Sequence, residues 1–352
     1  MILVAARGAG PEHGLHVAVQ HDGEWMTRHL DTVEQLAALA PHPSRPLAYG
    51  LSGLERGRLL AWNVADVAAG GSATRLVDRD ALGDISCDLA VDPGGRLLVA
   101  AHYGYETGAG GSLTVWRLDE LGMPFGNGVP IVLVGSGADP VRQPVPHPHQ
   151  VVFHDGALHV PDLGTDTIRR FALSPDDAER PLAPLEPIPV PVGTGPRHMV
   201  ILGSGASARV VVSGELSGEL AVGSLDPARP AWRTVVATRR TGPAVTRTDR
   251  NYPGDVKVSA DGRYAYFANR GYDTLATIEL GDEGPALVEE VQAQPWPQHI
   301  LVRDGEVLLA CWDGSSVLRA RLEGGVAGEL EFAFACPGAG WLLEMGELSH
   351  PG

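Results

Sequence analysis

The chain has 352 residues, 44% of them hydrophobic, and carries 45 Gly and 28 Pro. So many turn formers beside ample core-forming content favour short strands over helices. A formal charge of -16 excludes a general nucleic-acid binder, whose phosphate contacts need a basic surface. Cys87, Cys311 and Cys336 are far apart and form no CxxC pair, so neither a disulfide framework nor a zinc site is expected. The apolar run Ile2 to Ala6 is too short for a signal-peptide core, and no stretch approaches membrane-spanning length. The expected setting is therefore the cytoplasm, with no membrane partner. Lys257 is the only lysine among 27 basic residues, which a codon-usage bias towards arginine explains.

In chain order, one pattern recurs: a short strand, a small-residue corner, and another strand of alternating character. It reads LVAARGAGPEHGLHVAV near the start, LAYGLSGLERGRLLAWNV from Leu47, and LLVAAHYGYETGAGGSLTVWRL from Leu97. It continues as LHVPDLGTDTIRRFAL from Leu158, VVVSGELSGELAVGSL from Val210, AYFANRGYDTLATIEL from Ala265 and LLACWDGSSVLRARL from Leu308. The corners fall at Arg7, Gly53, Tyr103, Leu163, Glu215, Arg270 and Trp312. Their spacing of roughly 50 residues, at about four strands per copy, is the signature of a β-propeller blade.

Most copies have a further strand ahead of them: CDLAVD from Cys87, HQVVFH from His149, RHMVIL from Arg197, GDVKVS from Gly254 and QHILVR from Gln298. Turns such as Asp155-Gly156, Asp261-Gly262 and Asp304-Gly305 join each of these to the next strand as an antiparallel hairpin. The copy at the start of the chain lacks such a strand, and GWLLEM, from Gly340 to Met345, is the available donor. The expectation is an all-β, seven-bladed propeller of four antiparallel strands per blade, a single domain over residues 1–352. Its ring is closed by strands from both termini, which removes exposed edges. Counting the split blade as the seventh makes the copy with its corner at Gly53 blade one. Ser174 to Pro196, Pro-rich and charged, reads as an extended surface linker, and Val33 to Leu39 is the single helix candidate.

In a propeller the first strand of each blade lies nearest the axis, and its start opens onto the same face as the corner after the second strand. His149, Arg197, Glu215 and Arg270 come from blades three, four, four and five. They are therefore expected to meet at one mouth of the central channel. His147, His198, His102, Tyr103, Arg7, His299 and Trp312 are placed around the same end. The histidine spacing follows the blade repeat rather than a ligand motif, so neither metal nor cofactor is expected. Nor is there a GxSxG for a serine triad.

Several of these stretches resemble the seven-bladed lactonase propellers, which include bacterial 6-phosphogluconolactonases and fungal carboxy-cis,cis-muconate cyclases. The similar motifs are PHPHQVVFHDGALHVPDLGTDTI (Pro146 to Ile168), GTGPRHMV (Gly193 to Val200), SGEL (Ser213 to Leu216), YPGDVKVSADGRYAYFANRGYDTLA (Tyr252 to Ala276) and PQHILV (Pro297 to Val302). The resemblance implies that His149 (or its neighbour His147), Arg197, Glu215 and Arg270 are the active-site groups. By residue type, His149 is a candidate general base and Glu215 either an ion-pair partner that fixes Arg270 or an alternative base. It implies a lactone hydrolase of 6-phosphogluconolactonase type, acting on a small anionic lactone. The alternatives are a lactonising cyclase acting on a carboxylate, or a propeller that binds a ligand or partner without catalysis. Here the sequence has Ser52-Gly53, His102-Tyr103 and Cys311-Trp312 where the family usually offers polar corners, and Gln298 where Arg is common. The rim opposite the arginines is more apolar than a sugar-phosphate pocket requires.

Overall fold

A computed structural model describes residues 1–105, 108, 110–241 and 250–346. Glu106, Thr107 and Ala109 of the second blade's corner stretch lie outside the described residues. Seven antiparallel sheets follow one another along the chain and form the seven blades of a propeller. The C-terminal strand Ala339–Glu344 pairs with Ile2–Ala6 and becomes the innermost strand of blade seven, so both termini close the ring as expected.

Strand alternation explains the core. Residues of one parity on each strand pack against the preceding blade and the other parity against the following one. The buried apolar side chains accordingly group between neighbouring blades. Leu3 and Leu15 of blade seven meet Leu36 and Trp62 of blade one, Tyr49 of blade one meets Leu98 and Trp116 of blade two, and Val211 of blade four meets Phe267 and Ile278 of blade five. With both faces of a blade buried, the second strands read as near-continuous apolar runs, as in Leu97–His102 and Tyr264–Arg270.

Two expectations are overturned. Val33 to Leu39 forms no helix; Leu36–Pro41 is the innermost strand of blade one, paired with Leu47–Ser52. Leu36 and Leu39 sit three apart and both enter the core between blades seven and one, which mimics helical spacing. Nor is Ser174 to Pro196 only a linker, because Leu182–Pro189 within it is the outermost strand of blade three. Prolines 184, 187 and 189 are tolerated because an edge strand leaves N–H groups unused by the ladder.

The inner strands share a feature that shapes the channel mouth. Pairing slips by a residue or more near their starts, between Ser86 and Asp88, Pro196 and Met199, Pro253 and Val256, and Pro297 and His299. Such a bulge unpairs side chains that strict alternation would send into the blade and re-aims them. At these bulges stand Cys87, Arg197, Gly254 and Gln298, four of the strand-start residues picked out from the repeat.

Candidate active site

Glu215, at the corner of blade four, is the centre of the mouth. Its Oε1 accepts from Arg142 Nη2 at 3.1 Å and its Oε2 from Arg270 Nη2 at 2.6 Å, while Arg197 Nε lies 3.2 Å from the same Oε2. Burial alone would raise this carboxyl, but Arg270, Arg197 and Arg142 together pull it down to about 2. Glu215 is thus a fixed anion at working pH.

Every nitrogen of Arg270 has a partner. Its Nε donates to the Tyr252 carbonyl at 2.8 Å, Nη1 to Gln298 Oε1 at 3.3 Å, and Nη2 to the Pro253 carbonyl as well as to Glu215. Arg197 is different: it is only 3% exposed, yet its Nε and Nη1 have no hydrogen-bond partner. Burial and then the charge of Arg270 depress its pKa to about 9, which still leaves it protonated at neutral pH. Neither arginine is the solvated loop charge that a corner or strand start suggests. A buried cation with unused donors is an anion seat.

His149 stands beside them. Its ring lies 5.4 Å from that of His198 and 5.8 Å from that of Tyr103, and its Nδ1 has no partner. Burial first, then Arg197, His198 and Arg270, hold its pKa well below the usual histidine value. The ring is therefore neutral at pH 7. Tyr103 stacks on His147 at 4.3 Å, and its hydroxyl accepts from Arg142 Nη2 at 3.1 Å. His147 Nδ1 in turn donates to the Tyr103 carbonyl at 2.8 Å, so His147 and Tyr103 form one wall.

Arg7 lies over the Trp312 ring at 4.5 Å, and its Nε donates to Gln35 Oε1 at 3.2 Å. This pair supplies a fourth guanidinium, stacked on an indole, from blades six and seven. Deeper in, Trp341 of the closing strand stacks on His299 at 4.1 Å and reaches to 6.1 Å from His198. Rings from blades four, six and seven thereby meet next to the strand of Arg197.

One predicted residue does not join the site. His102 is fully buried, with Nδ1 2.9 Å from Ser86 Oγ and Nε2 2.9 Å from Thr114 Oγ1, so both ring nitrogens are used inside blade two. Two residues were missed. Arg142 sits on a turn ahead of blade three whose N–H groups at 141 and 142 donate to Asp139 Oδ1, outside any repeat position. Asp255 lies buried on the inner strand of blade five and did have a signal. The second position of the inner strands of blades two to six reads Asp88, Gln150, His198, Asp255 and His299, polar in all five. Among the described residues no group of three or more His, Cys, Asp or Glu is arranged to hold a metal ion, and no helix is long and apolar enough to cross a membrane.

Known proteins share both pattern and shape. Residues 14–334 match the family model described as Lactonase, 7-bladed beta-propeller. The 6-phosphogluconolactonase of Bacillus subtilis is 26% identical over 226 residues, covering 61% of this chain and 59% of that protein. The 6-phosphogluconolactonase of Sodalis glossinidius is 28% identical over 201 residues, covering 56% of this chain and 54% of its own length. The chain thus spans less than two thirds of the length of these relatives. The crystal structure of the periplasmic gluconolactonase of Pseudomonas aeruginosa superimposes with a TM-score of 0.79 at 22% identity, over 97% of this chain and 98% of that one. At that identity the likeness is one of fold.

Proposed function

The chain belongs to the seven-bladed β-propeller lactonase family, and on that premise we propose that it is an enzyme opening an anionic lactone by attack of water, with 6-phosphogluconolactone as the first substrate to test. The observation that carries this reading is Arg197, buried and with unused donors beside Arg270. In a chain of net charge -16, guanidinium groups gathered at one mouth form a local anion seat against the global field. Arg270, locked by Glu215 and two carbonyls, supplies fixed positive charge. Arg197 retains donors for the carbonyl oxygen, whose negative charge grows as the tetrahedral intermediate forms. Of the two bases suggested by the sequence, Glu215 is held as an anion by three arginines and serves as their anchor. Handling of the proton then falls to the imidazoles at the back of the pocket.

One observation favours a second reading. Arg7 over Trp312 offers a fourth guanidinium and a flat apolar surface, which suits an unsaturated dicarboxylate and the ring-closing reaction of a lactonising cyclase. Closure adds one carboxylate to the C=C bond and builds an enolate on the other, negative charge that guanidinium groups at this mouth can also stabilise. The two readings separate in one assay. The panel holds 6-phosphogluconolactone, unphosphorylated sugar lactones, carboxylated γ-lactones and unsaturated dicarboxylates, with spontaneous rates subtracted. Enzyme-dependent opening of an anionic lactone is expected. Turnover of the dicarboxylates alone would favour the cyclase, and binding without turnover of any compound would leave a ligand-binding propeller. A cytoplasmic location belongs to the same proposal, supported by three unpaired cysteines, which suit a reducing compartment.

A further inference from the structure

One residue beyond the arginine level, the inner strands carry the polar series Asp88, Gln150, His198, Asp255 and His299. Most of it ties blades together. Asp88 Oδ2 accepts from the Val151 N–H at 2.8 Å, Gln150 Oε1 from the Met199 N–H at 2.7 Å, Asp255 Oδ2 from the Ile300 N–H at 2.9 Å, and His299 Nδ1 from the Leu342 N–H at 3.2 Å. Each side chain thus clasps the blade that follows.

His198 breaks the series. Its Nδ1 lies 2.8 Å from Asp255 Oδ1, and its Nε2, on a side chain 1% exposed, has no partner. An ionised carboxylate only accepts, so Nδ1 carries the proton and Nε2 keeps a bare lone pair. That lone pair has company. His149 Nδ1 and Arg197 Nε and Nη1 also lack hydrogen-bond partners, and the slip between Pro196 and Met199 frees residues 197 and 198 from ladder pairing. Among the described residues, no carboxylate is hydrogen-bonded or ion-paired to the His149 ring.

We propose that His198, oriented by Asp255, is the general base of this site, and that the attacking water sits among His198 Nε2, His149 Nδ1 and the Arg197 guanidinium. The assignment rests on the lactone-hydrolase reading above. Water loses a proton to His198 Nε2 as its oxygen bonds to the carbonyl carbon. The carbonyl π pair moves onto oxygen, where Arg197 meets it. The intermediate collapses, the ring C–O bond breaks, and the leaving alkoxide takes the proton back from His198. The new carboxyl group releases its own proton to solvent.

The surroundings fit this role. Groups facing His198 are Asp255 from blade five, His149 from blade three, Trp341 from blade seven and its neighbour Arg197, while Lys257 and His299 act on it through Asp255. Burial would raise the Asp255 carboxyl, but Lys257 at 2.9 Å and the two histidines hold it well below the usual range. It stays ionised to stabilise an imidazolium. Burial and then Arg197 depress His198 to about 4, partly offset by Asp255. An anion or developing oxyanion on Arg197 cancels the second of those effects, so the imidazole gains basicity as the substrate needs it.

The test uses the full chain and the anionic lactone that the wild type opens fastest. His198→Ala is expected to lower kcat by roughly 10²–10⁴ with KM changed by less than about threefold, and added imidazole should restore part of the rate. Asp255→Asn, the positioning variant, should move the acid limb of the kcat–pH profile to lower pH, because the imidazolium loses its counter-ion. If Arg197→Ala is inactive while His198→Ala turns over at the wild-type rate, the base assignment is overturned and the hydrolase reading stands. A loss in His198→Ala that imidazole does not repair, with the acid limb unmoved in Asp255→Asn, also overturns it. If the wild type opens no lactone of the panel, the hydrolase reading falls and the base assignment falls with it.

Discussion

Replacing Arg197 with Ala is expected to lower kcat/KM on an anionic lactone by roughly 10²–10³, the usual loss when one donor to a developing oxyanion is removed. The same variant should be as stable as the wild type, or more so. Arg197 is 3% exposed, has no hydrogen-bond partner on Nε and Nη1, and is repelled by Arg270, and its ion pair with Glu215 at 3.2 Å offsets burial only in part. A group buried in that state costs folding free energy and is kept for what it binds. Activity by steady-state kinetics and stability by urea unfolding together check this. A variant that is strongly destabilised, with activity lost only in proportion to unfolded protein, would make Arg197 structural.

Glu215→Gln should do the opposite. It leaves Arg197, Arg270 and Arg142 facing one another without their shared anion. Breaking a buried ion pair in this way costs about 3–5 kcal/mol. The pH dependence has a definite sign. The Glu215 carboxyl is depressed to about 2 in the folded state, so its stabilisation is present above the unfolded value near 4.5 and is lost as pH falls towards 2. Wild type should lose stability across that window, and Glu215→Gln should lose correspondingly less. Phosphate or sulfate should rescue the variant more than the wild type, because an anion can replace the missing carboxylate. Urea midpoints at pH 7 and pH 3, with and without phosphate, give the answer. A cost below about 1 kcal/mol at pH 7 would mean that solvent already screens the arginines.

Much of this was legible in the sequence because a propeller turns position in the repeat into position in space. The corners Tyr103, Glu215, Arg270, Trp312 and Arg7 and the strand starts His149 and Arg197 do lie together at one mouth, and the chain-closing strand was visible as a missing partner for Ile2 to Ala6. What failed was local. Leu36 and Leu39 imitate a helix because a strand buried on both faces need not alternate. His102 follows the repeat to the rim, yet Ser86 and Thr114 on the flanking strands draw its ring inside the blade. Arg142 comes from an inter-blade loop, where no periodicity reports direction. By residue type Glu215 could be an ion-pair partner that fixes Arg270 or a base. The three guanidinium groups paired with it support the first of these.

The central claim is that Arg197 and Arg270 make this mouth an anion-reading lactone site. It is tested most directly by the ratio of kcat/KM for 6-phosphogluconolactone to that for glucono-δ-lactone. Interactions with charged groups contribute about 1.5–3 kcal/mol each, so the wild-type ratio should reach at least about 10. It should fall towards one in Arg270→Ala, whereas Arg197→Ala should lower kcat/KM for both lactones because its donors meet the carbonyl they share. A wild-type ratio near one, or a ratio that Arg270→Ala leaves unchanged, would contradict the account.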